Sequence, residues 1–320
     1  MKNLIKLSFL LVFFISCVSA TREQIKKKPH IVFVIGDEEY RSEESMPMLG
    51  KILHRELGAK ISLCFPLDSA GNINPNVNNN IVGLEALKTA DLMVVFTRWR
   101  ELPKHQAKMI TDHAETGKPI VGFRTATHTF KYNKDSSMFY LNDEWPTKVY
   151  GQQWITHHGH FEDGNKPLTS VYLKGDNTPI LNGFQPFQAY SWLYHVDGGK
   201  WHLNGDSKPF LEGKALKSNH EKAGKLDEYP LTNPVAWTKT YTTQSGKSAR
   251  VFFTTLGHPY DFKDVSMRKL ALNGIYWALG YEKKIPKMGV NADFVDPYNP
   301  NNSGFGARFK QGMKPIKIGK

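Results

Sequence analysis

Ile31-Val32-Phe33-Val34-Ile35-Gly36, running directly into Asp37-Glu38-Glu39-Tyr40-Arg41, decides the fold. An unbroken apolar, mostly β-branched run closed by glycine reads as a strand covered on both faces, because a half-exposed strand would alternate. Working outward, Met48, Leu49, Ile52, Leu53 and Leu57 recur at helical spacing until Gly58. A second short strand is expected over residues 61–65, a third over 92–96 and a fourth over 119–123. Between them lie an asparagine-rich loop at 72–80, a short helix at 84–87, and a helix opened by Pro103 and closed by Gly117. Alternating strands and helices with short connections predict an α/β protein with a parallel sheet and helices on both faces.

Further along, residues 131–230 are rich in Gly, Pro, Asn and aromatics, and only strands near 171–173 and 192–196 are expected there. Two strands over 235–241 and 250–256, turned at Ser245-Gly246, predict a hairpin. Met267, Leu270, Ile275 and Leu279 line a closing helix stopped by Gly280. The reading therefore divides the chain into a signal segment 1–20, a polar lead-in 21–29, an α/β domain 30–282 and a basic Pro/Gly/Asn-rich tail 283–320.

The first twenty residues have a positive start (Lys2, Lys6), an apolar run too short to span a bilayer, and Val18-Ser19-Ala20 at a cleavage site. Export to the periplasm or the exterior is the expectation. Phe14-Ile15-Ser16-Cys17 loosely matches a lipobox, which would instead anchor the chain through lipid on Cys17. With Cys17 in that segment, Cys64 has no intrachain disulfide partner, and its apolar setting suits a small core residue. The 42 Lys and Arg against 30 Asp and Glu leave a formal charge of +12, concentrated toward the two ends. That distribution and export argue against a nucleic-acid partner, which would need basic residues and aromatics on an ordered face.

In open parallel sheets, ligands bind beyond the carboxyl ends of the strands. Here each such end turns polar at once: Asp37 to Arg41, Thr97-Arg98-Trp99-Arg100-Glu101, Arg124-Thr125-Ala126-Thr127-His128, and Gly257-His258-Pro259-Tyr260-Asp261. If they converge, Asp37, Glu38 or Glu101 would work with His128 or His258 as acid and base. Arg124, Tyr40, Arg98, Trp99, His195 and Tyr260 would bind the substrate. Trp99 and Trp154 suit a cleft, whereas Trp192, Trp237 and Trp277 fall inside strand or helix patterns and read as core. His158 and His160 share a side of an extended chain, a spacing compatible with zinc given a third group such as His128, His195 or His258. Neither an HExxH helix nor a cysteine cluster accompanies them, so acid/base or structural roles stay open. No Gly-rich dinucleotide fingerprint follows any strand, and no organic cofactor is predicted.

Pro119-Ile120-Val121-Gly122-Phe123 resembles the strand entering the nucleophile elbow of class I glutamine amidotransferases, with Arg124 where their cysteine stands. A guanidinium has no lone pair for attack, so thioester chemistry is excluded. Arg124 would hold an anion or a sugar hydroxyl, or form a salt bridge to Asp37 or Glu38. More broadly, Gly36 to Arg41, Gly122 to Phe130, Asn233-Pro234-Val235-Ala236-Trp237, Phe253-Thr254-Thr255-Leu256-Gly257-His258-Pro259 and Asn273-Gly274-Ile275-Tyr276-Trp277-Ala278 resemble the trehalose-utilisation (ThuA-like) family over about residues 30–280. The resemblance implies a flavodoxin-like, class I glutamine amidotransferase-like sheet and a small carbohydrate substrate, a glycoside or keto-sugar. It matches His128 and His258 to family positions. A sugar-binding accessory protein without catalysis, or a zinc-dependent hydrolase, are the alternatives.

Overall fold

The computed structural model describes residues 28–319 apart from Asp176. The signal-like segment, Cys17 and most of the lead-in lie outside the described residues. The strands, in chain order, are β1 (His30–Gly36), β2 (Lys60–Cys64), β3 (Leu92–Thr97), β4 (Ile120–Phe123), β5 (Thr156–His157), β6 (Thr169–Leu173), β7 (Phe187–Ala189), β8 (Tyr194–His195), β9 (Lys208–Ala215), β10 (Thr232–Thr242) and β11 (Ser248–Thr254). The helices are α1 (Ser42–Leu57), α2 (Lys104–Glu115), α3 (Glu144–Tyr150), α4 (Asn219–Lys222) and α5 (Val265–Ala278).

Nine strands form one sheet in the order β2-β1-β3-β4-β11-β10-β9-β6-β7. The first five are parallel, and the hairpin β10–β11 turns the sheet into an antiparallel wing of β10, β9, β6 and β7. The expected parallel, flavodoxin-like core and the expected hairpin are both present, and the antiparallel wing continues beyond that hairpin. β5 and β8 pair separately as a small ribbon.

The apolar run of β1 explains the layering. Ile31, Phe33 and Ile35 enter one core cluster with α1 and α5 residues, while Val32 and Val34 enter another with α2 residues. Each fully buried Ile, Val or Phe of this kind contributes about 1.5–3 kcal/mol, so a strand apolar on both sides belongs only between two layers. Cys64 is fully buried, and burial pushes its thiol up to about 12, which leaves it unreactive. Gly58 closes α1 in the left-handed conformation at φ 59°. No helix among the described residues is long and apolar enough to cross a membrane.

The C-terminal segment from residue 283 packs against the body. Ile285, Val290 and Ala292 join the core cluster of α1 and α5, and Ile318 bridges antiparallel to Ile61 on the outer edge of β2.

Candidate functional site

Four non-glycine residues among those described adopt the left-handed backbone region: Arg41, Trp99, Arg124 and Glu162. Three of them, at φ 55°, 47° and 42°, lie in the connections that follow β1, β3 and β4, Arg41 at the start of α1. Such residues cost about 1–3 kcal/mol each and gather where function requires a fixed side-chain direction. The strain marks the carboxyl ends of the parallel strands as the site.

The polar strand ends do converge there. Thr125 beyond β4 donates to Asp37 Oδ2 beyond β1, Trp99 N donates 2.9 Å to the His128 carbonyl, and Arg124 Nη1 donates 2.8 Å to the carbonyl of Thr255 beyond β11. The predicted residues nevertheless divide into framework and open groups.

Asp37 is framework. It is fully buried, and its Oδ1 accepts from Glu39 N and Tyr40 N, both at 2.7 Å, while Thr125 occupies Oδ2. His258 is also closed: it is fully buried, Nδ1 accepts from Tyr260 N at 3.1 Å, and Nε2 lies 2.9 Å from Ser303 Oγ. These partners define the Nε2–H tautomer, and burial holds the imidazole neutral, well below its usual range. The polar atoms of Asp37 and His258, expected as catalytic, are thus taken up in holding the turns around them. Arg124 stands at the elbow position but faces inward. It is fully buried, donates to the Thr255 and Trp192 carbonyls and to Tyr40 Oη, and stacks over the Tyr40 and Tyr194 rings at 4.1 and 4.4 Å. Neither Asp37 nor Glu38 is its partner, and substrate contact by Arg124 or the buried Tyr40 is corrected on the same ground.

Glu101 is half-exposed on a turn held through its backbone to Asn78, with its charge felt by Tyr132, and stands apart from the cluster. His195 is fully buried beside Tyr229 and Asn233, away from the cavity. Tyr260 packs on Tyr190 and His258 without lining the cavity. His158 and His160 part company: His158 is buried with Nδ1 2.8 Å from Ser218 Oγ, whereas exposed His160 stacks on Trp192 and His157. Among the described residues no cluster of three His, Cys, Asp or Glu is placed to hold a metal ion.

Beside these lies a connected, largely buried cluster of acid, cation, imidazole and aromatic rings. Glu38 bridges Arg98 and Arg100 (Arg100 Nη2 to Oε2, 2.6 Å), and Arg98 Nε lies 3.2 Å from Glu39 Oε2. Burial lifts the Glu39 carboxyl to about 7 despite Arg98. Arg98 stacks 3.5 Å over Trp99, whose ring continues to His128 and Trp154 at 5.8 and 6.4 Å. His128 is 7% exposed, its Nδ1 lies 3.3 Å from Thr127 Oγ1, and its Nε2 makes no hydrogen bond. Burial first, then the Arg98 and Arg124 charges, keep this imidazole neutral.

A cavity of about 280 Å³ opens over Glu39, between His160, Trp192 and the tail residues Ser303, Phe305 and Arg308. Trp192 belongs to the core, as expected, and one face of it also lines the cavity; its indole N–H is buried without a partner. Three functional groups escaped the sequence reading. Glu39 is one of three consecutive acids whose directions only the folded turn separates. His157, half-buried between Trp154 and Trp192, is masked by its histidine neighbours. The tail residues carry no motif at all.

The molecule so described is a flavodoxin-like α/β protein with an aromatic-walled polar cleft at its sheet edge. The sequence profile of the ThuA family, described as trehalose utilisation, matches residues 54–278, and the chain belongs to that family. Its fold is similar to that of a ThuA-like protein from Bacteroides uniformis ATCC 8492, at 16% identity over 82% of this chain and 96% of the other, with a TM-score of 0.50. A ThuA-like protein from Parabacteroides merdae ATCC 43184 aligns at 14% identity over 89% of this chain and 100% of its own, with a TM-score of 0.49. No curated protein matches.

Proposed function

We propose that this chain is an exported enzyme acting on a small glycoside or keto-sugar by proton transfer, with Glu39 as acid and His128 as base. The observation that carries the reading is Glu39 itself: a carboxyl raised to about 7, at the floor of a cavity walled by aromatic rings. A carboxyl near half-protonation at neutral pH suits donation to a departing sugar oxygen. The neutral imidazole of His128, in the aromatic cluster beside the cavity rather than in its lining, has an Nε2 without a hydrogen bond and suits removal of a proton from carbon or water. Aromatic faces accept the C–H side of a sugar ring, and Trp192 offers a donor to a hydroxyl. Family membership supports a carbohydrate-related role. The cavity lies close to the lower end of the roughly 300–1,000 Å³ spanned by ligand pockets, which favours a small sugar over a polymer.

Purified protein incubated with trehalose, keto-trehalose and simple β-glucosides, followed by NMR, should convert at least one. Glu39→Gln and His128→Ala should each lower turnover about 100-fold or more. The closed states of Asp37, His258 and Arg124 favour one competitor, a sugar-binding protein without chemistry. Calorimetric binding of a sugar that emerges unaltered would establish that reading instead.

A further inference from the structure

The tail segment 299–310 lies beyond the family match, yet it forms one wall of the cleft. Gly304 N donates 2.8 Å to the Glu39 carbonyl, Arg41 Nη2 donates 2.6 Å to the Gly304 carbonyl, Ser303 meets His258, and Asn301 N donates 3.1 Å to Glu44. The wall is thus fixed to β1, α1 and the turn after β11.

Arg308 on this wall differs from every other cation at the rim. Arg98 and Arg100 share the Glu38 carboxylate, Arg41 and Arg124 are taken up by carbonyls, Lys131 lies 4.5 Å over the Trp99 ring, and Lys310 pairs with Glu44. Arg308 has a single long hydrogen bond, 3.4 Å from Nη1 to the Ser303 carbonyl, and no carboxylate. It lies against Gly304, which has φ 131°: a Cβ there would meet Arg308 Cδ at 2.6 Å and Nη1 at 2.8 Å and push the flexible side chain aside. Glycine thus leaves room for the arginine beside the cavity it lines.

Resting on the sugar reading above, we propose that Arg308 is a specificity-determining residue and that the substrate carries a carboxylate, as in a uronic or aldonic acid glycoside. An exposed guanidinium at the cavity rim, with most of its fork of donors unused, can pair a carboxylate in bidentate fashion. The neighbouring Glu39 carboxyl, protonated through much of the neutral range, opposes an anion less than an ordinary glutamate would.

The test is calorimetry with methyl β-glucuronide against methyl β-glucoside at low and physiological salt. The acid should bind about tenfold tighter or more, with the margin shrinking as salt rises. Arg308→Gln should reduce that ratio to about twofold or less, Arg308→Lys should keep part of it, and Gly304→Ala should reduce it by displacing the arginine. Equal affinities, or a preference untouched by Arg308→Gln, would overturn this inference while leaving a sugar site intact. Failure of both sugars to bind, with no turnover of any glycoside, would remove the sugar reading and this one together.

Discussion

Asp37, Glu38 and Glu39 are adjacent in sequence and have three different fates. Asp37 ties down the turn, Glu38 neutralises two arginines, and Glu39 faces the cavity. The strand end announced that carboxylates would gather here, but their different directions follow from the folded turn that Asp37 ties down. Glu39 also leaves a signature in stability. Its folded pKa of about 7 exceeds the ordinary glutamate value of 4.5, so between these values the native state holds a proton that the unfolded chain has released. Stability from this group is complete below pH 4.5 and declines as pH rises toward 7. Replacing the carboxyl by an amide removes the decline. Glu39→Gln should therefore gain on wild type by on the order of 1–3 kcal/mol between pH 4 and pH 8 in urea titrations, the scale set by a shift of a few pKa units. A difference independent of pH would show Glu39 ionised throughout.

At the scale of elements, the parallel core was legible because burial on both faces writes continuous apolar runs. The antiparallel wing was legible only in part: the hairpin strand β10 and β6 were expected, but β9 reads Lys-Pro-Phe-Leu-Glu-Gly-Lys-Ala and mixes strand breakers with charge. Its Gly213 is no breaker: a Cβ there would meet Val235 at 2.6 Å and Thr169 at 2.8 Å, so glycine permits close packing of neighbouring side chains. The same logic governs α5 against the sheet. A Cβ on Gly274 would fall 2.3 Å from the Phe252 ring, which belongs to β11. Gly274→Ala gains up to about 1 kcal/mol of helix propensity, but overpacking of this kind costs about 1–3 kcal/mol. The substitution should lower the denaturation midpoint. A raised midpoint would mean the helix can move away from the strand freely.

For the whole molecule, composition suggested a tail that either wraps the body or hangs free, and nothing local to the sequence distinguished the two. Long-range contacts decide it: Ile285, Val290 and Phe309 are buried, at 6%, 2% and 6% exposure. With each such side chain worth about 1.5–3 kcal/mol, a chain ending at residue 282 should melt about 10 °C lower or more. Unchanged melting would show that the segment adds nothing to the core. Stability is not all that the segment supplies. Ile318 covers part of the outermost strand, β2, at one margin of the sheet, while β7, at the other margin, is three residues long. Neither margin offers a stranger's backbone a long row of vacant amides and carbonyls, so the ladder has little room to grow from one molecule to the next, and a crowded solution should not seed fibres from the native form.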